Sequence, residues 1–201
     1  MDEVGLIQSA QKGDIEAFNR LVLKYQNMVY NQAYRVMGDA SSASDATQDA
    51  FISAFRKMHT FRGGSFKAWL LRIVTNTCYD EIRRRKRRPS TPLNPTDEDS
   101  KEIESPYWIK DPGEMPEDFT ARMELSEAIQ RCLDNLPIDF RTTVILVDVQ
   151  GMDYAEAASV MGTPTGTIKS RLARSRKSLR DCLEGYRELL PAAFRLEIEN
   201  T

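Results

Sequence analysis

Apolar residues recur every three or four positions through three segments of the N-terminal half, the spacing that one buried face of an α-helix produces. Asp14 is placed to cap the first of these helices, and Gly38 is suited to end it. Residues 41–45 offer a cap for the second helix, and the third begins after a break at 61–65. Strand-type alternation is absent, so the pattern predicts a helical bundle.

The C-terminal part has the same period and is divided by Pro137, by Gly151 and by residues 162–164. Four helices are predicted there, at approximately 120–135, 139–149, 153–161 and 165–186. We therefore expect an all-α protein made of two small helical domains.

Proline and acidic residues mark the boundary between these domains. Six of the nine prolines fall between residues 89 and 116, and residues 97–118 carry nine acids against two lysines. Such a segment is neither a regular helix nor a packed core. The predicted organisation is an N-terminal domain at 1–88, a flexible acidic Pro-rich linker at 89–120, a C-terminal domain at 121–187 and a tail at 188–201.

Composition excludes several functional classes. The 201-residue chain has no apolar run near the roughly 20 residues of a membrane helix, and its first residues lack a secretory signal, so we expect a cytoplasmic protein without membrane insertion. Three cysteines without a CxxC pair argue against a disulfide framework or a structural zinc site. One histidine and the lack of phosphate-binding glycine motifs predict no metal, no cofactor and no catalytic residues.

Charge is distributed unevenly along the chain. Residues 62–88 carry nine Lys/Arg against two Asp/Glu, and residues 169–180 carry six Lys/Arg and no acid. Basic blocks of this kind are typical of nucleic-acid contacts. Two of them, one in each predicted domain, indicate two places for nucleic acid.

Residues 154–172 have the spacing of a helix-turn-helix, with small side chains in the first helix and Gly162 at the turn. A helical wheel of the second helix places Ile168 and Leu172 on the buried side. The opposite, cationic side holds Lys169, Ser170, Ala173, Arg174 and Lys177. A recognition helix in a major groove needs this arrangement. The alternative is a solvated helical corner without a ligand.

The first basic block alternates cations with aromatic residues, among them Phe61, Arg62, Phe66, Trp69 and Arg72. Aromatic faces beside cations suit the unstacked bases of a single strand. The alternative is that Phe61, Phe66 and Trp69 belong to the core of the domain and that Asn76 caps a backbone group.

Residues 44–51, 61–63 and 69–76 resemble the second conserved region of the extracytoplasmic-function sigma factors, and residues 136–141 with 166–176 resemble their fourth region. The resemblance implies a bacterial transcription initiation factor, which is not an enzyme. It further implies binding to core RNA polymerase, through the clamp of the largest subunit and the flap of the second-largest. Promoter DNA, as duplex and as melted non-template strand, and an anti-sigma protein are the other implied partners.

The resemblance also implies site residues. The clamp-binding segment is matched by Asp45, Gln48, Asp49 and Phe51. The site for the minus-ten element is assigned to Phe61, Arg62, Gly63, Trp69, Arg72, Asn76, Arg83 and Arg84. The site for the minus-thirty-five element is assigned to Thr165, Gly166, Thr167, Lys169, Ser170, Arg171, Arg174 and Lys177.

Two departures and two alternatives accompany this interpretation. The loop at 61–66 is one residue shorter than usual, with Gly64 where an acid is common nearby, and Thr165 replaces a typical aliphatic residue. A stand-alone helix-turn-helix regulator would explain residues 139–183 but not the first basic block. A helical enzyme would need an acid–base constellation, and none is found.

Overall fold

The computed structural model describes residues 2–87 and 116–191, and every regular element in these ranges is helical. No helix among them is both long enough and apolar enough to cross a bilayer. The α-helices are α1 (Glu3–Gln11), α2 (Ile15–Met37), α3 (Ala40–Lys57), α4 (Phe66–Arg87), α5 (Pro116–Asp134), α6 (Ile138–Val144), α7 (Tyr154–Met161) and α8 (Thr165–Leu183). The all-α fold with two helical domains is thereby confirmed.

The N-terminal domain is a bundle of α1–α4 whose ends follow from capping. The Asp14 carboxylate accepts a hydrogen bond from the Ala17 backbone at 3.1 Å, and Gly38 ends α2 in the left-handed conformation at φ 85°. The expected cap of α3 at 41–45 is wrong, because Asp39 takes that place and accepts from the Ser42 backbone at 2.7 Å. The helix thus starts directly after the glycine.

One helix of this domain was not predicted. Residues of α1 show only a weak apolar period, but Leu6 and Ala10 are buried against the rest of the bundle. Polar contacts hold its start, since the Glu3 carboxylate pairs with Lys24 and accepts a hydrogen bond from the Tyr25 hydroxyl at 2.9 Å. Tertiary contacts therefore stabilise a helix that its own sequence favours weakly.

The C-terminal domain contains the four predicted helices with small changes at their ends. Helix α6 continues into a π-helix at Ile145–Val149, and α8 continues into a 3₁₀ helix at Glu184–Leu189. Helix α5 begins at Pro116, so residues 116–120 are helical and do not belong to the linker as expected. Proline is tolerated at the first position of a helix. The rest of the predicted linker and residues 192–201 of the predicted tail lie outside the described residues.

Cys132 of α5 and Cys182 of α8 form a disulfide bond, with their Cα atoms 5.8 Å apart. The cysteines were expected not to form a disulfide framework, and this one bond departs from that expectation. Cys132 and Cys182 are 50 residues apart in the chain, and sequence spacing carries no information on the packing of α5 against α8 that brings them together.

The two domains pack against each other and share one continuous buried core. Helix α4 contacts α7, and the end of α2 contacts α6 and the π-helix. Two arginines cross the interface in opposite directions: Arg35 donates to the Ser126 carbonyl and hydroxyl at 3.4 Å, and Arg141 donates to the Val36 carbonyl at 2.9 Å. The described residues therefore adopt a closed arrangement.

Candidate nucleic-acid interface

The turn between α7 and α8 is fixed by local interactions. The Asp153 carboxylate accepts from the Ala155 and Glu156 backbones, while the Glu156 carboxylate accepts from the Asp153 backbone at 3.1 Å, which is a complete capping box. Gly162 ends α7 at φ 61°, in the left-handed region that favours glycine. These contacts set the angle at which α8 leaves the turn.

One side of α8 is buried, as predicted. Ile168, Leu172 and Ser175 are buried, and the Ser175 hydroxyl donates to the Phe140 carbonyl of α6 at 3.0 Å. This packing fixes the rotation of α8 about its axis. The opposite side therefore faces solvent over the whole length of the helix.

That exposed side contains four of the predicted residues, Lys169, Ser170, Arg174 and Lys177, which we call the α8 basic face. Thr165 and Gly166 are exposed at the N-terminus of the same helix, and Thr167 is half-buried. The Lys169 ammonium lies 5.6 Å from the centre of the Tyr154 ring, a cation–π contact. Tyr154 is the first residue of α7, the helix before α8, and it is 38% exposed. It was not among the predicted site residues.

Arg171 lies outside the α8 basic face. Its guanidinium pairs with the Asp139 carboxylate at 2.8 Å, and only 23% of its side chain is exposed. Asp139 also accepts a hydrogen bond at 3.2 Å from the hydroxyl of Tyr79 in the N-terminal domain. Arg171 follows Ile168 by three residues and precedes Ser175 by four, so the helical period already puts it beside the buried side.

Phe61 and Trp69 form an aromatic cluster with Phe66. The ring of Phe61 lies 5.5 Å from that of Phe66 and 5.4 Å from that of Trp69, measured between ring centres. Phe61 is only 8% exposed, and its carbonyl accepts a hydrogen bond from Gln11 of α1. The structure therefore places the Phe61 ring in the core of the domain and leaves Trp69 half-buried at the edge.

Arg62, Gly63, Arg72 and Asn76 are exposed around this cluster, and we call them the loop–α4 surface. Gly63 and Gly64 both have positive φ, and a side chain atom added at either would meet open space. The backbone geometry, not crowding, thus requires glycine in this loop. The Asn76 side chain makes no hydrogen bond to any described residue, so the expected alternative of a backbone cap does not hold.

Arg83 and Arg84 lie farther along α4, about 18 Å from Arg72 at 1.5 Å per residue. Arg83 pairs with Asp80 at 3.3 Å and Arg84 pairs with Glu81 at 2.8 Å. Burial alone would raise the pKa of Glu81, but hydrogen bonds from Arg85 and Arg84 bring that pKa below its ordinary value. These two arginines are thus separate from the loop–α4 surface.

Asp45, Gln48 and Asp49 are exposed on one side of α3, which we call the acidic α3 face. Phe51 points the other way and packs against the core. Ile52 follows Asp45 by seven residues, so it lies on the same side, where it is 42% exposed in a groove between α3 and α4. Ile52 was not among the predicted site residues, although its spacing from Asp45 is the signal that would have found it.

Two family models match the chain. The model of sigma-70 region 2 matches residues 21–88, and that of sigma-70 region 4 matches residues 126–179. The first match contains the loop–α4 surface and the acidic α3 face, and the second contains the α8 basic face. A stand-alone helix-turn-helix regulator accounts for the second match alone.

Similar proteins cover most of the chain. The RNA polymerase sigma-H factor of Pseudomonas aeruginosa is 38% identical over 180 residues, which are 89% of this chain and 92% of that protein. The ECF RNA polymerase sigma-E factor of Escherichia coli is 35% identical over 176 residues, 87% of this chain and 90% of that protein.

Among solved structures, the sigma factor RpoE in complex with the anti-sigma factor NepR from Bartonella quintana is 26% identical, with a TM-score of 0.65 over 85% of this chain and 98% of that one. CnrH in complex with the cytosolic domain of CnrY is 25% identical, with a TM-score of 0.63 over 92% of this chain and 97% of that one. The chain therefore belongs to the extracytoplasmic-function sigma factors of the sigma-70 family, the transcription initiation factors that direct RNA polymerase to promoters.

Proposed function

We propose that this chain acts in the cytoplasm as a promoter-specificity subunit of RNA polymerase, with three surfaces in separate roles. The α8 basic face reads the duplex minus-thirty-five element, and the loop–α4 surface receives the melted non-template strand of the minus-ten element. The acidic α3 face, extended by Ile52, binds the clamp of the largest polymerase subunit, and the C-terminal domain binds the flap of the second-largest. Polymerase supplies the chemistry.

The single observation that carries this proposal is the rotation of α8, because its packing turns toward solvent a side that carries cations and no acidic residue from 169 to 177. Ser170 and Ala173 are small and lie between the cations, which lets a groove edge approach the helix closely. Arg174 is suited to a bidentate contact with guanine, and Lys169 and Lys177 to phosphates. Arg171 serves a different purpose here, since its pair with Asp139 holds α8 on α6.

The loop–α4 surface supports the second role. Gly63 and Gly64 give the loop freedom to adjust, and Asn76 presents an unused amide that both donates and accepts hydrogen bonds. Trp69 offers a partly exposed ring on which an unstacked base can lie, and Phe61 supports that ring from the core side. Arg83 and Arg84, farther along α4, are placed for the phosphates of the continuing strand.

Promoter reading requires the closed arrangement to open. The two elements are about 25 base pairs apart by their names, or about 85 Å at 3.4 Å per base pair. A compact chain of this length is about 45 Å across. The 28 residues between α4 and α5 span at most about 95 Å when fully extended, which is enough for both contacts at once. An anti-sigma protein, such as NepR in the complex with the similar sigma factor RpoE, would control this step.

Replacing Arg174 or Lys169 by alanine is expected to weaken binding of a minus-thirty-five duplex. Loss of a bidentate base contact costs about 1–3 kcal/mol and relaxes specificity at one base pair. Loss of a phosphate contact weakens all sequences alike and lowers the slope of log affinity against log salt by about 0.9. Fluorescence anisotropy with a base-pair panel at several salt concentrations distinguishes these outcomes.

Arg131→Ala is the matched control for this series, because Arg131 is exposed on α5 of the same domain and its one ion pair among the described residues is with Glu127. It should leave both affinity and salt slope unchanged. Unaltered binding by Arg174→Ala and Lys169→Ala together would remove the α8 basic face from the interface.

Asn76→Ala is expected to slow promoter opening and to change the preference at one minus-ten base, while polymerase binding and duplex binding stay intact. The exposed amide makes no hydrogen bond to the part of the chain that the structure describes, so the melting temperature should not change. Extruding a base from the stack costs a few kcal/mol of free energy. Hydrogen bonds to the edge of the flipped base must offset that cost. Permanganate footprinting of the melted strand, with thermal unfolding alongside, measures both effects.

Asn27→Ala, which removes an exposed amide from α2, serves as the comparison. It should behave like the unchanged chain in every assay. If Asn76→Ala lowered stability and left the base preference as it was, Asn76 would have no place in strand capture.

A further inference from the structure

The Cys132–Cys182 bond connects α5 and α8, two helices whose positions matter when the two domains separate. Cys132 lies in the last turn of α5 and is 1% exposed, and Cys182 lies near the end of α8 and is half-buried. The bond closes a loop that contains α6, α7 and nearly all of α8. It therefore fixes α5 on the helix that carries the α8 basic face.

The other side of α5 holds the N-terminal domain. Ser126, Gln130 and Asp134 are spaced four residues apart and form one stripe. Ser126 accepts from Arg35, and the Gln130 amide donates to the Arg35 carbonyl at 3.3 Å. The Asp134 carboxylate pairs at 2.8 Å with Arg141, which in turn donates to the Val36 carbonyl of α2.

Cys132 lies two residues from both Gln130 and Asp134, which places it on the opposite side of α5 at about 200°. Helix α5 is thus a bridge, held to α8 by the disulfide and to α2 by its polar stripe. Gly38 shows how closely the stripe fits, because a side chain atom added there would lie 2.9 Å from an Asp134 carboxylate oxygen.

We propose that Cys132 and Cys182 are a reversible thiol–disulfide pair, and that the disulfide form holds the two domains closed. In the dithiol form α5 stays on α8 only through its apolar contacts, so the stripe is no longer kept in register with α2. The closed form then becomes less stable relative to the open form. The consequence for polymerase binding rests on the proposed function, whereas domain closure itself does not.

Oxidation of the two thiols and reduction of the disulfide both use reagents that a cell contains. Oxidation removes one hydrogen from each thiol and forms the S–S bond, and the two electrons and two protons reduce hydrogen peroxide to water. Reduction by a dithiol protein or by glutathione proceeds through a mixed disulfide and returns both thiols. Because reducing compartments keep such pairs as thiols, oxidant is the signal that closes the molecule.

Cys78 provides an internal control. It is buried in α4, and the other two cysteines of the chain are bonded to each other, so it has no partner thiol in the chain. Burial also raises the pKa of its thiol to about 12. The oxidised full-length chain should therefore keep one free thiol and the reduced chain three. Alkylation under denaturing conditions followed by intact mass measurement counts them.

The test compares the full-length chain after reduction with dithiothreitol and after oxidation with hydrogen peroxide. Small-angle X-ray scattering should give a larger radius of gyration for the reduced chain. Titration with core polymerase should give about fivefold or more tighter binding in the reduced state, the lower end of ordinary coupling between sites. Cys132→Ala and Cys182→Ser should both stay in the open, tightly binding state in peroxide, and Cys78→Ala should respond like the unchanged chain.

Three results would overturn the proposal: three free thiols after peroxide treatment, equal radii of gyration in the two states, or a response that Cys78→Ala abolishes. If the radius changed as expected but neither state bound polymerase, the switch would stand and the proposed function would fail. Because Cys132→Ala and Cys182→Ser lie on different helices, the test still works if one of the two variants does not fold.

Discussion

The Asp45→Lys, Asp49→Lys double variant is expected to lose assembly with core polymerase by at least about 100-fold. Both carboxylates are exposed on the acidic α3 face and neither takes part in an intramolecular ion pair among the described residues. Like charges four residues apart repel on a lone helix, and a basic partner relieves that repulsion. Removing one partner of a charge pair that is desolvated at an interface costs about 2–5 kcal/mol, and about 1.4 kcal/mol is a factor of ten.

Co-elution of the chain with core polymerase, without DNA, measures this effect. The control is Glu16→Lys with Glu124→Lys, which makes the same change in net charge at exposed positions of α2 and α5. Circular dichroism should show an unchanged helical content for both double variants. Normal assembly of the first one would disprove the role of the acidic α3 face.

Arg141→Ala is expected to lower the free energy of unfolding by about 3 kcal/mol, the largest effect on stability that we anticipate for a single residue. The guanidinium is only 12% exposed, pairs with Asp134 and donates to the Val36 and Asp134 carbonyls at 2.9 and 2.8 Å. Removal leaves the last carbonyls of α2 without this donor and Asp134 without its partner. Burial already lowers the pKa of Arg141, so its hydrogen bonds offset a cost of desolvation.

Urea denaturation of Arg141→Ala and Arg131→Ala gives the comparison. The exposed Arg131 pair with Glu127 at 3.6 Å should contribute less than about 0.5 kcal/mol. A similarly small change for Arg141→Ala would mean that the buried guanidinium does not hold the two domains together.

Local signals in the sequence predicted most of the fold. The period of apolar residues gave the helices, because a helix repeats every 3.6 residues wherever it packs. Asp14, Gly38 and Gly162 act within one turn of their own position, so their roles as caps could be predicted without tertiary information. The α8 basic face followed from the same period, since burial of Ile168 and Leu172 leaves only one side exposed.

Contacts between distant segments could not be predicted in this way. The Cys132–Cys182 bond, the Arg35 and Arg141 contacts and the pair of Arg171 with Asp139 depend on how helices pack, which no short motif encodes. Phe61 shows the same limit within one domain. Its position in a motif indicated strand capture, but packing against the rings of Phe66 and Trp69 decides that its side chain is buried.

The π-helix at Ile145–Val149 makes a contact between the two domains depend on the number of residues in this segment. Because a π turn holds one more residue than an α turn, it is equivalent to a one-residue insertion in a helix. The extra residue rotates the following chain by about 100°, and the Gln150 carbonyl then accepts a hydrogen bond from Lys67 of the N-terminal domain. Loss of one codon here would turn Gln150 away from Lys67, and it would also shift the buried Met152 relative to Leu146 in the C-terminal core. In evolutionary terms, an insertion or deletion in this segment is thus constrained twice, by the contact between the domains and by the core of the C-terminal domain.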